Sequence, residues 1–146
     1  MPTKTESTTL VITRVFDAPP AHVFEAWLDQ EQWQGWIGPE GIDCDVTLLE
    51  RRVGGRYRLL MHLPDGKTLP VAGIFKVIEP HVRFAFTWGR EGEARDSLVT
   101  VTLRDLGGKT ELTLRQEGLP TAASRDSHAE GWSSALNELA GYLAVA

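Results

Sequence analysis

The sequence is short of cysteine, of basic charge and of long apolar runs. Its one cysteine, Cys44, cannot form a disulfide within the chain, which points to a reducing compartment, taken here as cytoplasmic. Lys and Arg number 15 against 20 Asp and Glu, a formal net charge of -5. That balance argues against binding nucleic acid, whose phosphates call for clustered Lys and Arg, and against docking on anionic membranes. No apolar stretch approaches the length of a bilayer span, so membrane insertion is not expected. The first residues lack the apolar core of a signal peptide, so neither is secretion. Cys44, His62, His81 and His128 form no paired ligand motif, and no metal or other cofactor is expected.

What is present is ordinary globular material rich in tryptophan. The 146 residues, 42% hydrophobic and with 5 Trp, are enough to bury a real core, and residues 1–146 are read as one domain. Met1–Thr8 is polar and Thr-rich and is expected to be disordered. The last stretch organises the rest. Trp132, Leu136, Leu139 and Leu143 recur at spacings of four, three and four residues, one stripe of a helix, with His128 a turn earlier and Ala135 and Tyr142 widening it. Thr121 or Ser124 are both candidates to cap it, and Ser127 with Glu130 has capping-box spacing one turn later.

Almost everything from Ile42 to Gln116 alternates as β-strand does. Thr9–Phe16 makes a first strand, stopped at Asp17-Ala-Pro-Pro20, where proline suits the first turn of a helix. Val23, Phe24, Trp27 and Leu28 then give one short helical face. Asp29, with Gln32 three residues on, caps a second short helix carrying Trp33, Trp36 and Ile37, closed at Gly38-Pro39. A meander follows. Cys44, Val46 and Leu48 share one side of a strand, and Tyr57, Leu59 and Met61 one side of the next. Pro64-Asp-Gly-Lys67 turns the chain, Gly73 marks a bulge or bend in the following strand, and Val82, Phe84, Phe86 and Trp88 alternate after it. Arg95–Asp105 and Lys109–Glu117 form a hairpin across Leu106-Gly107-Gly108. The order is α+β: seven strands joined antiparallel by short turns, two short helices after the first strand, and a long C-terminal helix.

These residues resemble a known family. Phe16-Asp-Ala-Pro19, Val23-Phe24 and Trp27, Trp33–Trp36, Val53-Gly-Gly-Arg56, Gly73 with Phe75–Glu79, Val82–Trp88 ending in Phe86-Thr-Trp88, Thr110–Leu114 and His128-Ala-Glu-Gly-Trp132 follow one another as in activator-of-Hsp90-ATPase-homologue-1-like (AHSA1-like) domains, part of the START-like or Bet v 1-like (SRPBCC) superfamily. The resemblance runs from about Thr9 onward. It implies a helix-grip fold, a seven-stranded curved antiparallel sheet wrapped round the C-terminal helix, with a hydrophobic cavity between the two. The family is named for a co-chaperone with an additional N-terminal domain, for which this sequence has no room, so the chaperone role is not expected to carry over.

The candidate ligand-binding residues are Phe24, Trp27, Trp36, Tyr57, Leu59, Met61, Phe75, Phe86, Trp88, His128, Trp132 and Leu136. Val77 and Phe84 belong to the same strand faces, and Phe24, Trp27 and Trp36 are placed at the cavity mouth. The competing reading is that these side chains simply fill the core. Tyr57 and His128 are the polar groups of the set; His128 is suited to orienting a ligand carbonyl or to acid–base work, against the plainer reading of a half-exposed histidine bonded near the helix start. Ser124, Asp126, Ser127 and His128 carry the letters of a triad but are too nearly contiguous to meet, and no catalytic residue is assigned. Gly66-Lys-Thr68 and Gly108-Lys-Thr110 mimic a phosphate loop, yet Met61 and Leu103 stand where its first glycine belongs.

The expected function is binding of a small hydrophobic molecule. The alternative is an interaction module, chaperone-associated or homodimeric, which an exposed patch of Trp33, Trp36 and Ile37 would support. Third comes a cyclase- or hydrolase-type enzyme, for which Tyr57 and His128 would have to converge.

Overall fold

The structure, a computed structural model, describes residues 8–38, 41–92 and 96–145. The stretch expected to be disordered, except for Thr8, lies outside them, as do Pro39 and Arg95. Strand β1 (Leu10–Phe16) is followed by helices α1 (Pro20–Leu28) and α2 (Gln30–Gln34). Strands β2 (Asp43–Leu49), β3 (Arg56–His62), β4 (Thr68–Glu79), β5 (Arg83–Arg90), β6 (Ser97–Asp105) and β7 (Thr110–Glu117) come next, and helix α3 (Ala122–Val145) ends the chain. All pairings are antiparallel, in the order β1-β7-β6-β5-β4-β3-β2, one seven-stranded curved sheet against a C-terminal helix: the helix-grip fold.

Local chemistry explains the element ends. Pro20 sits at the first position of α1, where the missing N–H costs nothing. The Asp29 carboxylate accepts from the Gln32 backbone N–H at 3.0 Å and starts α2. Thr121 caps α3, its Oγ1 accepting from Ser124 N–H at 3.0 Å. Between β3 and β4, Gly66 takes the positive φ of 86° while the Asp65 carboxylate accepts from Lys67 N–H at 2.9 Å.

The two edge strands, β1 and β2, are the ones that α1 and α2 connect. An edge strand exposes unpaired backbone groups. At Val46 in β2 both are satisfied from the helical connection: Gln30 Nε2 donates to its carbonyl at 2.8 Å and its N–H donates to Gln34 Oε1 at 2.9 Å. Thr110 of β7 donates from Oγ1 to the Ala18 carbonyl at 2.7 Å, fixing the chain as it leaves β1.

The core lies between the inner face of the sheet and the helices. The α3 stripe is buried at Trp132, Ala135, Leu136 and Leu139 and half-buried at Tyr142 and Leu143. Trp27 is the hub on the facing side, with ring centroids 4.7 Å from Trp36, 5.4 Å from Phe84 and 5.8 Å from Trp132. Burying such side chains contributes about 2–3 kcal/mol each. On the outer face of the strands, pairs such as Arg58–Glu91 and Arg104–Glu111 are solvated, and each stabilises by about 1 kcal/mol or less.

Three expectations are corrected. Val82 does not share the inward row of Phe84, Phe86 and Trp88: it is 54% exposed, leaving a turn in which His81 holds a φ of 66°. Trp33, Trp36 and Ile37 are each only 2% exposed, so no apolar patch forms there; α2 packs inward, with Trp33 against Tyr57 and Trp36 Nε1 donating to the Ala26 carbonyl at 2.9 Å. Gly73 does not hold the irregularity of β4, which falls between Phe75 and Val77. Its lack of a side chain serves close approach instead. A Cβ there would stand 2.0 Å from the Thr87 carbonyl oxygen and 2.7 Å from the Tyr57 ring, in the gap where the Tyr57 hydroxyl donates to that same carbonyl at 2.5 Å.

Gly73→Ala is therefore expected to destabilise the fold by about 2–3 kcal/mol, read as a lower urea midpoint at unchanged slope. Burial first, then the carboxylates of Asp45 and Asp43, pushes the Cys44 thiol up to about 12 from 9.0. With about a thousandfold less thiolate than a free thiol near neutral pH, Cys44 should react with an aromatic disulfide reagent only as fast as the chain opens, and at once in denaturant.

Candidate functional site

At one end of the sheet the packing leaves a pocket of about 600 Å³, partly open to solvent. Its apolar walls come from Ile37, from Met61 of β3, from Leu69 and Val71 of β4, and from Leu119 in the link to α3. Trp88 of β5 and Trp132 of α3 form its aromatic side, centroids 4.9 Å apart and planes tilted 53°. Ser124, Ser127, His128, Gly131 and Ala135 of α3 close it, and Arg90 and Asp96 stand on the same border. At Gly131 an added Cβ would meet nothing within 4 Å.

A buried polar chain runs from the Trp132 indole to the Trp88 backbone. Trp132 Nε1 donates to Gln116 Oε1, Gln116 Nε2 donates to Ser97 Oγ, and Ser97 Oγ donates to the Trp88 carbonyl, each at 2.8 Å. Gln116 is 0% exposed, so an unpaired amide there would carry its full desolvation cost of about 1–3 kcal/mol. Every link pairs a donor with an acceptor, and the chain ties β5, β6, β7 and α3 together where the pocket needs rigid walls.

Met61, Trp88, His128 and Trp132 of the expected set meet at this pocket. Phe24, Trp27, Trp36, Tyr57, Leu59, Phe75, Phe86 and Leu136 are not on its walls; they are buried in the packed core beside it. Aromatic volume accounts for the difference. Phe75, Phe84 and Phe86 interlock with Tyr57, Trp27 and Trp33 at centroid separations between 5.3 and 6.4 Å, filling the middle of the curved sheet. Tyr57 offers no polar group to a ligand, since its hydroxyl is spent on Thr87. Burial first, and then the charge of Asp96, raises its phenol well above the usual range, so it stays protonated.

His128 is half-buried, and its Nδ1 lies 2.7 Å from the Ser124 carbonyl oxygen and 3.4 Å from Ser124 Oγ. Asp126 is taken up by its neighbour Arg125 at 3.0 Å. Ser124, Asp126 and His128 thus form no relay, and Tyr57 and His128 do not converge on the pocket. Among the described residues, no three of His, Cys, Asp and Glu are grouped to hold a metal ion.

Gln116 and Ser97 were missed by reading for greasy residues, yet both carry a signal. Gln116 falls in phase with Leu112 and Leu114, and Ser97 with Val99, Val101 and Leu103. Two polar residues at inward positions of neighbouring strands are the pattern a buried hydrogen-bonded pair leaves in a sequence.

The family model described as Activator of Hsp90 ATPase homolog 1-like protein matches residues 17–144. Among solved structures, a protein from Chromobacterium violaceum is 31% identical, covering 92% of this chain and 95% of that one at a TM-score of 0.85. The AHSA1 protein from Silicibacter pomeroyi is 28% identical over 94% of this chain and 98% of that one, at 0.83. A protein from Rhodobacter sphaeroides is 26% identical over 95% and 94%, at 0.81. No curated protein matches the sequence. No helix among the described residues is long and apolar enough to cross a membrane. By its family model and its fold, this chain belongs to the Activator of Hsp90 ATPase homolog 1-like family.

Proposed function

We propose that this protein binds a small, largely apolar molecule in the pocket between the sheet end and α3. The observation that carries the reading is the pair of indoles, Trp88 and Trp132, packed together at the wall of a space of about 600 Å³, with the Trp132 N–H joined to the Trp88 backbone carbonyl through a fully paired buried polar chain. Small-molecule sites have this make-up: an apolar lining, a few placed polar groups and a volume of about 300–1,000 Å³. A ligand that buries about 400 Å² of apolar surface, its own and the pocket's together, gains about 10 kcal/mol. Lost translational and rotational freedom costs about 4 kcal/mol or more, so affinities in the tens of micromolar are expected. The lone reduced thiol of Cys44 supports action in the cytoplasm.

The interaction-module reading has lost the patch that favoured it, because Trp33, Trp36 and Ile37 are buried. The enzyme reading has lost its nominated pair, since the Tyr57 hydroxyl is spent on Thr87 and is absent from the pocket wall.

Screening a panel of lipids and fused-ring aromatics by thermal shift, with tryptophan quenching as the second readout, should find binders that raise Tm. Gly131→Trp places an indole in the open space and should abolish both signals while far-UV circular dichroism stays native; Gly131→Ala should keep them. A panel with no binder, or binders untouched by Gly131→Trp, would overturn the reading. Gln116→Leu, which strands the Trp132 N–H and one Ser97 contact, should cost about 1–3 kcal/mol in urea denaturation and weaken binding as the Trp132 indole loosens.

A further inference from the structure

The geometry points to His128 as a hydrogen-bond acceptor for the ligand: the pocket selects apolar molecules that carry a hydroxyl or N–H and gives no comparable gain to those that offer only an ether or carbonyl oxygen at that place. This rests on the pocket being a ligand site, as proposed above.

The argument starts from a proton. His128 Nδ1 lies 2.7 Å from the Ser124 carbonyl oxygen. A carbonyl oxygen only accepts, so a contact that short requires the hydrogen on Nδ1; two lone pairs facing each other there would repel. Ser124 Oγ, at 3.4 Å from the same nitrogen, is too far to supply the contact in its place. In the neutral ring, one nitrogen donates and the other bears a bare lone pair. With the proton held on Nδ1, the lone pair is on Nε2.

The placement of Nε2 follows from the ring itself. Nδ1 turns back onto the carbonyl four residues earlier in α3, and Nε2 lies across the ring from that bond, away from the helix backbone. His128 is one of the residues that wall the pocket, between Ser124 and Trp132 on the same side of the helix. Among the described residues nothing donates to Nε2. His128 is half-buried at the pocket wall, and a ligand donor there would pair Nε2 in place of water. On this assignment His128 would receive a ligand donor, where the sequence suggested that it orient a ligand carbonyl or do acid–base work.

The test uses the full chain at about pH 8. The probes are 2-naphthol and 2-methoxynaphthalene, which share the fused ring and differ in having or lacking a donor. Dissociation constants come from tryptophan quenching for wild type, His128→Leu and His128→Gln. The quantity read is the preference for 2-naphthol in wild type divided by that in His128→Leu, which removes differences in probe size and hydrophobicity. One hydrogen bond at a partly wet site predicts a ratio of about 3 to 10. His128→Gln, whose amide oxygen also accepts, should restore part of the preference. A ratio near one, or a wild type that fails to prefer 2-naphthol, overturns the assignment while leaving the pocket reading in place. Failure of both probes to bind wild type in the space that Gly131→Trp fills overturns the pocket reading and the His128 assignment together.

Discussion

A helix of 24 residues that is greasy along one side only has to be covered, and the rest of this molecule is arranged to cover it. The contact at the centre is Trp132 against Trp27, centroids 5.8 Å apart and planes 30° from parallel. Trp27 arrives on α1, so the short helices cannot be decoration: they bring the ring that packs on Trp132 of α3 and on Phe84 and Phe86 of the sheet alike. The sheet must bend to reach the same helix, and its seven strands have the twist to do so. Trp132 has a second task. One face of its indole belongs to the core, its N–H is spent on Gln116, and the remainder borders the pocket. The pocket wall thus inherits the rigidity of the core, and a ligand entering would meet surfaces already ordered, which lowers the entropy lost on binding.

Much of this was legible in the chain. The 3.6-residue stripe of α3, the period of two in β1, β3 and β7, and the turn chemistry at Pro64–Lys67 each depend only on neighbours in sequence, and each appears where the pattern put it. Features that depend on volume or on distant backbone were not legible. The strand faces announced a large aromatic surface, but whether such a surface encloses space or fills it is decided by how the rings interlock. Phe75, Phe84 and Phe86 fill the middle and leave the hollow at one end. Tyr57 looked like a polar tip in a cavity. Its hydroxyl is instead consumed by Thr87, across a gap that exists because Gly73, on another strand, has no side chain. Gln116 and Ser97 were visible as phase errors in otherwise apolar strand faces and needed only to be paired.

The core also carries a cost. The indole N–H groups of Trp27 and Trp33 are buried and find no acceptor among the described residues. An unmade hydrogen bond of that kind is worth about 1–3 kcal/mol, comparable with the gain from burying one large side chain. The molecule tolerates this at Trp27 and Trp33, and avoids it at Trp36, whose N–H reaches the Ala26 carbonyl, and at Trp132, where a full polar chain is present.

The way α2 meets β2 reaches beyond the core. Two glutamine side chains occupy the amide and the carbonyl of Val46, the middle rung of a strand at the rim of the sheet. A second polypeptide seeking to extend the sheet on that side would find the ladder interrupted there, and would have to displace Gln30 and Gln34 before it could zip up. One of its two open margins is thereby a poorer template for strand pairing at its centre, with neither a proline nor a row of lysines placed there.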